Sequence, residues 1–243
     1  MKYSRQIQNQ IHSFTFLELL VATTVLSALT VLILPALSDA NAKFRAEYCI
    51  NNLKQWGVGF QLYAADWNGW LPAEGSLAGA CGANRGTWFN GVPPYLKMSP
   101  YTDLPHGGSF PPLAQARIWI CPEKNLRNAR SVSGLNSASY GMNNWLDGNV
   151  IDDCNQHLRH VRLSSLSNAV VTVLLCDVYA NNVNCDPTDT TFQTYPWQKN
   201  GVGLHENGAN FLFVDGHVSW FLVSAYWNGS SGIMTNPALR WQP

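Results

Sequence analysis

Charge is scarce in this chain of 243 residues: Asp, Glu, Lys and Arg together make up 12%, and 15 acids balance 15 bases. A formal net charge of zero leaves no electrostatic footprint for nucleic acid, so none is expected as a partner. Several signatures of chemistry are missing as well. No C-x-x-C pair occurs, which argues against a zinc ribbon or a thioredoxin-like site. His205-Glu206 is not followed by a His at the H-E-x-x-H position, which excludes a zincin on motif grounds. There is no G-x-S-x-G elbow, no Walker A loop and no repeat period. The expectation is a protein that is not an enzyme and needs neither cofactor nor metal.

What the chain does have is one long apolar run. Leu19 to Leu37 carries no charge, and a single acid, Glu18, stands at its head. Such a run matches the ~20 residues that a helix needs to cross a bilayer. A carboxylate inside that environment costs up to roughly 3 kcal/mol at the bilayer centre and less near its edge, which makes Glu18 a candidate functional residue. A secretory signal peptide is the first competing reading, with Ala40-Asn41-Ala42 as its cleavage site, but its apolar core is shorter and has no use for an acid. A plain single-pass anchor is the second. Lys2 and Arg5 precede the span with no acid before Glu18, so the amino terminus is expected on the cytoplasmic side.

The helical pattern continues past the apolar run. From Ser38 to Asp66, Phe44, Tyr48, Cys49, Leu53, Trp56, Phe60 and Tyr63 recur at steps of mainly three and four, which places them on one face. Asn41, Lys43, Arg45, Glu47, Asn51, Asn52, Lys54 and Gln61 fall largely elsewhere. One helix of about 50 residues, some 75 Å long, is therefore expected, ending at Asp66-Trp67-Asn68-Gly69.

Beyond it, Gly and Pro recur from Pro72 to Pro112, a loop-rich insertion. Ile118-Trp119-Ile120 and Ser139-Tyr140-Gly141-Met142 are expected as short strands. Ala169 to Cys176 reads as a buried strand, because it is short, apolar and rich in β-branched residues. Asn181 to Asn200 reads as loop. The segment Asn210 to Phe221 reads as a hairpin around Asp215-Gly216, with a type I′ turn whose two central residues both take φ > 0. Six cysteines suit an oxidising compartment. Cys49 with Cys121, and Cys154 with Cys185, are candidate pairs, and Cys176 is expected as a buried thiol. Asp177, His205, Asp215 and His217 are the right types for a divalent cation if they converge, although turn chemistry alone explains Asp215 and Gly216. Asn182, Asn184, Asp186 and Asp189 alternate like a calcium loop, but Pro187 stands where such a loop needs glycine.

Two of these segments resemble a known family. Ser13-Phe14-Thr15-Phe16-Leu17-Glu18 is similar to the processing signal of type IV pilins and type II secretion pseudopilins, with Ser13 where the family has Gly. Pro35 matches the family's helix-kinking proline. His205, Asp215 and Gly216 resemble the H-x9-DG signature near the C-terminus of a group of prepilin-like proteins. Cys49 to Gln55, Cys121-Pro122 and Ser139 to Asn143 also look like that group.

The resemblance implies cleavage between Ser13 and Phe14 by a prepilin peptidase, N-methylation of Phe14, and assembly through Glu18. It implies a pilin-like α+β fold: one long N-terminal helix, partly transmembrane, packed on an antiparallel sheet with a loop-rich insertion. Residues 1–13 would be a basic leader, 14–37 a transmembrane or filament-core helix, 38–66 its amphipathic continuation and 67–243 an exported domain. The implied function is a structural subunit of a pseudopilus or type IV pilus-like filament. Its partners would be other pilin subunits, an inner-membrane assembly platform and the membrane itself. The alternative is a membrane-anchored exported domain that binds a ligand such as a polysaccharide and never polymerises.

Overall fold

A computed structural model of the chain describes residues 15–73, 87–100, 103, 118–122, 139–146, 161–177, 184–185, 205, 207–226 and 236–241. Ser13 and Phe14 lie outside the described residues, as do Asn182, Asp186, Asp189, Cys81 and Cys154 and the side chains of Asn184 and Cys185. The chain divides into two compact units, residues 1–44 and 45–243.

Helix α1 is Phe16–Asp66. It continues through Pro35, which has no N–H to donate to the carbonyl four residues earlier. In the first unit every large apolar residue from Phe16 to Leu37 is exposed. An 18-residue window there has a mean hydropathy of 2.3, so by length and composition this helix is able to cross a membrane. The helix ends as its last residues suggest. Asn68 and Gly69 adopt φ of 53° and 81°, and the Gly69 N–H bonds the Ala64 carbonyl at 2.7 Å, which is a Schellman closure.

In the second unit α1 buries Cys49, Leu53, Trp56, Phe60 and Tyr63, as their spacing requires. Phe44 departs from the expected face and stays 69% exposed, at the junction between the two units. Asn52 departs in the other direction. It is buried, and its amide donates to the Ile120 carbonyl and to the Tyr140 hydroxyl at 3.3 and 3.1 Å. Trp56 likewise donates its indole N–H to the Ile118 carbonyl at 2.8 Å. Those bonds explain why Ile118-Trp119-Ile120 forms a buried turn rather than the expected strand: helix side chains take two of its carbonyls, and the Ser139 N–H takes that of Trp119 at 2.8 Å.

Among the described residues the sheet has five strands, β1 Tyr140–Asn143, β2 Val173–Asp177, β3 Asn184–Cys185, β4 Gly208–Phe213 and β5 Val218–Leu222, in the order β3-β1-β2-β4-β5. Four of them pair antiparallel, and two-residue β3 adds a parallel edge beside β1. β2 starts later than the apolar run suggests, because Ala169–Thr172 forms a turn. A bulge lies in β2, where Val173 faces Phe213 and Leu175 faces Leu212. The extra residue lets Leu174 and Leu175 both join the core that α1 covers, while Val173 and Cys176 join the opposite one.

That opposite core was not legible beforehand. Phe211, Phe213, Val223, Tyr226, Leu239 and Trp241 build it with Val173 and Cys176. The chain's last described segment returns to the sheet, where the Arg240 carbonyl accepts the Val173 N–H at 2.8 Å. β2 and β4 are thus buried on both faces, whereas β5 is half exposed at the edge.

The β4–β5 hairpin forms where expected, with a different turn. Only Gly216 has positive φ, at 94°, and Asp215 does not. The Gly216 N–H bonds the Phe213 carbonyl and the Phe213 N–H bonds the His217 carbonyl, both at 2.9 Å. Three loop residues closed by a left-handed glycine make a G1-bulge hairpin, not a type I′ turn. A Cβ at Gly216 would meet nothing within 4 Å, so its constraint is conformational alone. Gly216→Val should therefore cost at least roughly 1–2 kcal/mol, the left-handed penalty, and lower the melting temperature by several degrees. An unchanged melting temperature would refute the turn assignment.

Candidate functional site

At its amino-terminal end α1 has a reciprocal cap. The Glu18 carboxylate accepts from the Thr15 backbone N–H and from the Thr15 hydroxyl, both at 2.9 Å, while the Glu18 N–H approaches Thr15 Oγ1 at 3.3 Å. Thr-x-x-Glu before an apolar run is a capping box, which satisfies two donors that the helix start would otherwise leave open. The signal is present in the sequence and gives Glu18 a local role besides any role in assembly.

The second site lies under the start of β4. Cys49 on α1 and Cys121 are joined by a disulfide across 72 residues, as one of the candidate pairings has it. Cys176 is a buried free thiol in the other core. His205 is buried against the bond, with Nε2 3.3 Å from Cys121 Sγ and 3.4 Å from Asp177 Oδ2. Its position is held through the backbone. His205 and Gly208 exchange N–H···O bonds of 3.1 and 2.8 Å, and Trp220 Nε1 donates to the His205 carbonyl at 3.0 Å. Gly208 permits this closeness, since a Cβ there would come within 2.4 Å of the Phe221 carbonyl and the Trp220 ring. Asp177 reaches the site from the end of β2, where the Asn210 N–H binds Oδ2 at 2.8 Å. Burial pushes the Asp177 carboxyl above its usual range, against the opposing pull of His205, of that N–H and of the nearby Asn210 side chain. Burial also pushes the neighbouring Tyr140 hydroxyl well up, and the Asp177 charge adds to the effect. Asp177 Oδ1 and the side chain of Asn210 are buried and lack hydrogen-bond partners among the described residues.

Asp215 and His217 do not join this cluster. They sit past the far end of β4, where Asp215 Oδ1 accepts from the His217 N–H at 3.1 Å and lies 2.6 Å from His217 Nδ1. The His217 ring stacks on Phe213 at 4.3 Å. The four residues that sequence reasoning grouped for a cation therefore separate into two pairs. His205 bonds the backbone beside the hairpin, and its side-chain partners Cys121 and Asp177 come from segments that no local pattern connects.

A third feature is a cavity of about 450 Å³ lined by Tyr63, Trp67, Asn90, Pro94, Tyr95 and Asp103. Trp67 is 53% exposed and its ring stacks on Tyr63 at 5.4 Å. No family model matches the chain, and no curated protein or solved structure shows significant similarity to it.

Proposed function

We infer that this chain is a structural subunit of a pilus-like filament, either a type II secretion pseudopilus or a type IV pilus relative. One observation carries the reading: a long helix, apolar and exposed from Phe16 to Leu37, in which the only acid of that stretch, Glu18, stands in the first turn. A helix apolar all round needs lipid or other helices as its surroundings, and a filament core supplies the second after a membrane has supplied the first. The chain would be an inner-membrane protein with its amino terminus cytoplasmic and residues 67–243 exported, cut between Ser13 and Phe14 and methylated on Phe14. Prepilin peptidase, an assembly platform and neighbouring subunits would be its partners. The disulfide supports the exported placement, since such bonds persist in oxidising compartments.

Shearing filaments from the native host and probing them for this chain tests the reading. Its presence in the sheared fraction is expected, and its confinement to membranes would contradict assembly. Cleavage itself should depend on Ser13. Serine adds a hydroxymethyl group and lacks glycine's freedom at φ > 0, so the peptidase should process Ser13→Gly faster than the natural chain. Equal or slower cleavage of Ser13→Gly would show that this position does not limit the reaction.

A second reading draws on the Trp67 cavity. The exposed Trp67 ring and the half-buried Tyr95 ring beside Asn90 and Asp103 suit a sugar ring, so an anchored glycan-binding domain is the competing function. Glycan arrays with the natural chain and Trp67→Ala separate the two.

A further inference from the structure

We propose that the Cys49–Cys121 disulfide is one state of a redox-gated zinc site, in which both sulfurs, His205 Nε2 and the Asp177 carboxylate bind one Zn²⁺ once the bond is reduced. The three cysteine and histidine ligand atoms lie within 4.8 Å of one another, and all are buried. His205 Nε2 is 3.3 Å from Cys121 Sγ and 3.4 Å from Asp177 Oδ2. Zinc–ligand bonds of about 2.0–2.3 Å in tetrahedral geometry set neighbouring ligand atoms about 3.3–3.8 Å apart. The two measured separations already fall in that range. The sulfurs must part from a covalent bond to a ligand–ligand spacing, and the Asp177 carboxylate, which lies near His205 but outside that group of three, must close on them.

The surroundings give a second reason. Asp177 is 3% exposed, yet among the described residues Oδ1 has no partner at hydrogen-bond geometry, and neither do the two polar atoms of the Asn210 side chain, which lies close enough to act on the Asp177 charge. A buried carboxylate oxygen without a partner is costly, and a bound cation would compensate it. Two thiolates, an imidazole and a carboxylate also form a donor set that zinc accepts and that magnesium or calcium would not favour. The ligands come from α1, the turn before Pro122, the end of β2 and the segment before β4, so the ion would tie two further segments to the pair that the disulfide now joins.

The chemistry balances simply. A dithiol reductant delivers two electrons and two protons to the disulfide and is itself oxidised to a disulfide. Zinc uptake then releases the two thiol protons to solvent as the sulfurs become thiolates. Oxidation and metal binding therefore exclude each other at these sulfurs.

Cobalt is the probe, because tetrahedral Co²⁺ has visible bands and a thiolate charge-transfer band in the near ultraviolet. The full chain in detergent, reduced and then freed of reductant without air, should bind one Co²⁺ with both features, and zinc should displace it. The oxidised chain and the Cys49→Ser/Cys121→Ser double variant should show neither. Asp177→Asn should weaken binding on the order of tenfold or more, by analogy with the loss of groups that support a metal site. Zinc should also slow reoxidation of the thiols, a readout that needs no variant. Should the reduced chain lose its near-ultraviolet dichroism, zinc should restore it. Absence of the thiolate band in the reduced chain, its persistence in the double variant, or reoxidation unaffected by zinc would overturn the proposal.

Discussion

Glu18→Gln should leave the chain inserted in the membrane and processed, yet exclude it from filaments. The argument rests on separating two roles of one carboxylate. Glu18 closes a capping box with Thr15, and a glutamine at that position still accepts the Thr15 N–H. Gln therefore keeps the helix start while removing the charge. In the proposed filament that charge meets the free amine of Phe14 on a neighbouring subunit, in a setting where neither has water. Stranding one member of such a pair typically costs about 3–5 kcal/mol, enough to reduce incorporation by two orders of magnitude or more. Thr15→Val is the complementary variant: it removes the capping hydroxyl, costs about 1 kcal/mol at the helix end and spares the charge. It should assemble nearly normally. Glu18→Asp should be partly defective, because its shorter side chain falls short of the amine. Glu18→Gln subunits that cross-link into filaments as well as the natural chain would reduce Glu18 to a capping residue.

The second large effect concerns the exported domain. Replacing Cys49 and Cys121 together by serine should lower its stability by about 4 kcal/mol, the chain-entropy value for a loop of 72 residues. The native state has reason to suffer there as well. The bond lies one turn from Asn52 and two from Trp56, whose side chains hold the Ile120 and Ile118 carbonyls. Trp56 also packs edge-on against Trp88 and Trp119 with ring centres 5.1 and 4.7 Å away. Loosening Cys121 from α1 loosens that tryptophan cluster, so tryptophan fluorescence should report the unfolding. Oxidised and reduced protein with equal melting temperatures in the presence of a chelator would contradict this weight.

Local patterns made much of this architecture legible. The heptad-like spacing from Cys49 to Tyr63 gives the buried face of α1, Asn68-Gly69 gives its end, and Asp215-Gly216 gives the hairpin. What escaped depends on distant partners. Asn52 looks like a surface residue until Tyr140 arrives beside it from 88 residues away. Ile118-Trp119-Ile120 has the composition of a strand, but α1 side chains claim two of its carbonyls and the Ser139 N–H the third. Leu239 and Trp241 show no periodicity that would send them back onto β2 and β4, and two-residue β3 is too short to carry a signal. For the candidate sites the same division holds. The capping box was written in four consecutive residues. The Cys49, Cys121, Asp177 and His205 cluster draws on four segments, and a single sequence specifies such a meeting only through the whole fold.

The most direct test of the filament reading is the chemical state of the mature amino terminus. Membranes and sheared filaments from the native host would be digested, and the N-terminal peptide of this chain identified by mass spectrometry. The account predicts a chain that begins at N-methylated Phe14, with Glu18 in its first turn. An intact chain that retains residues 1–13 in every fraction would contradict it and leave a membrane-anchored binding domain in its place.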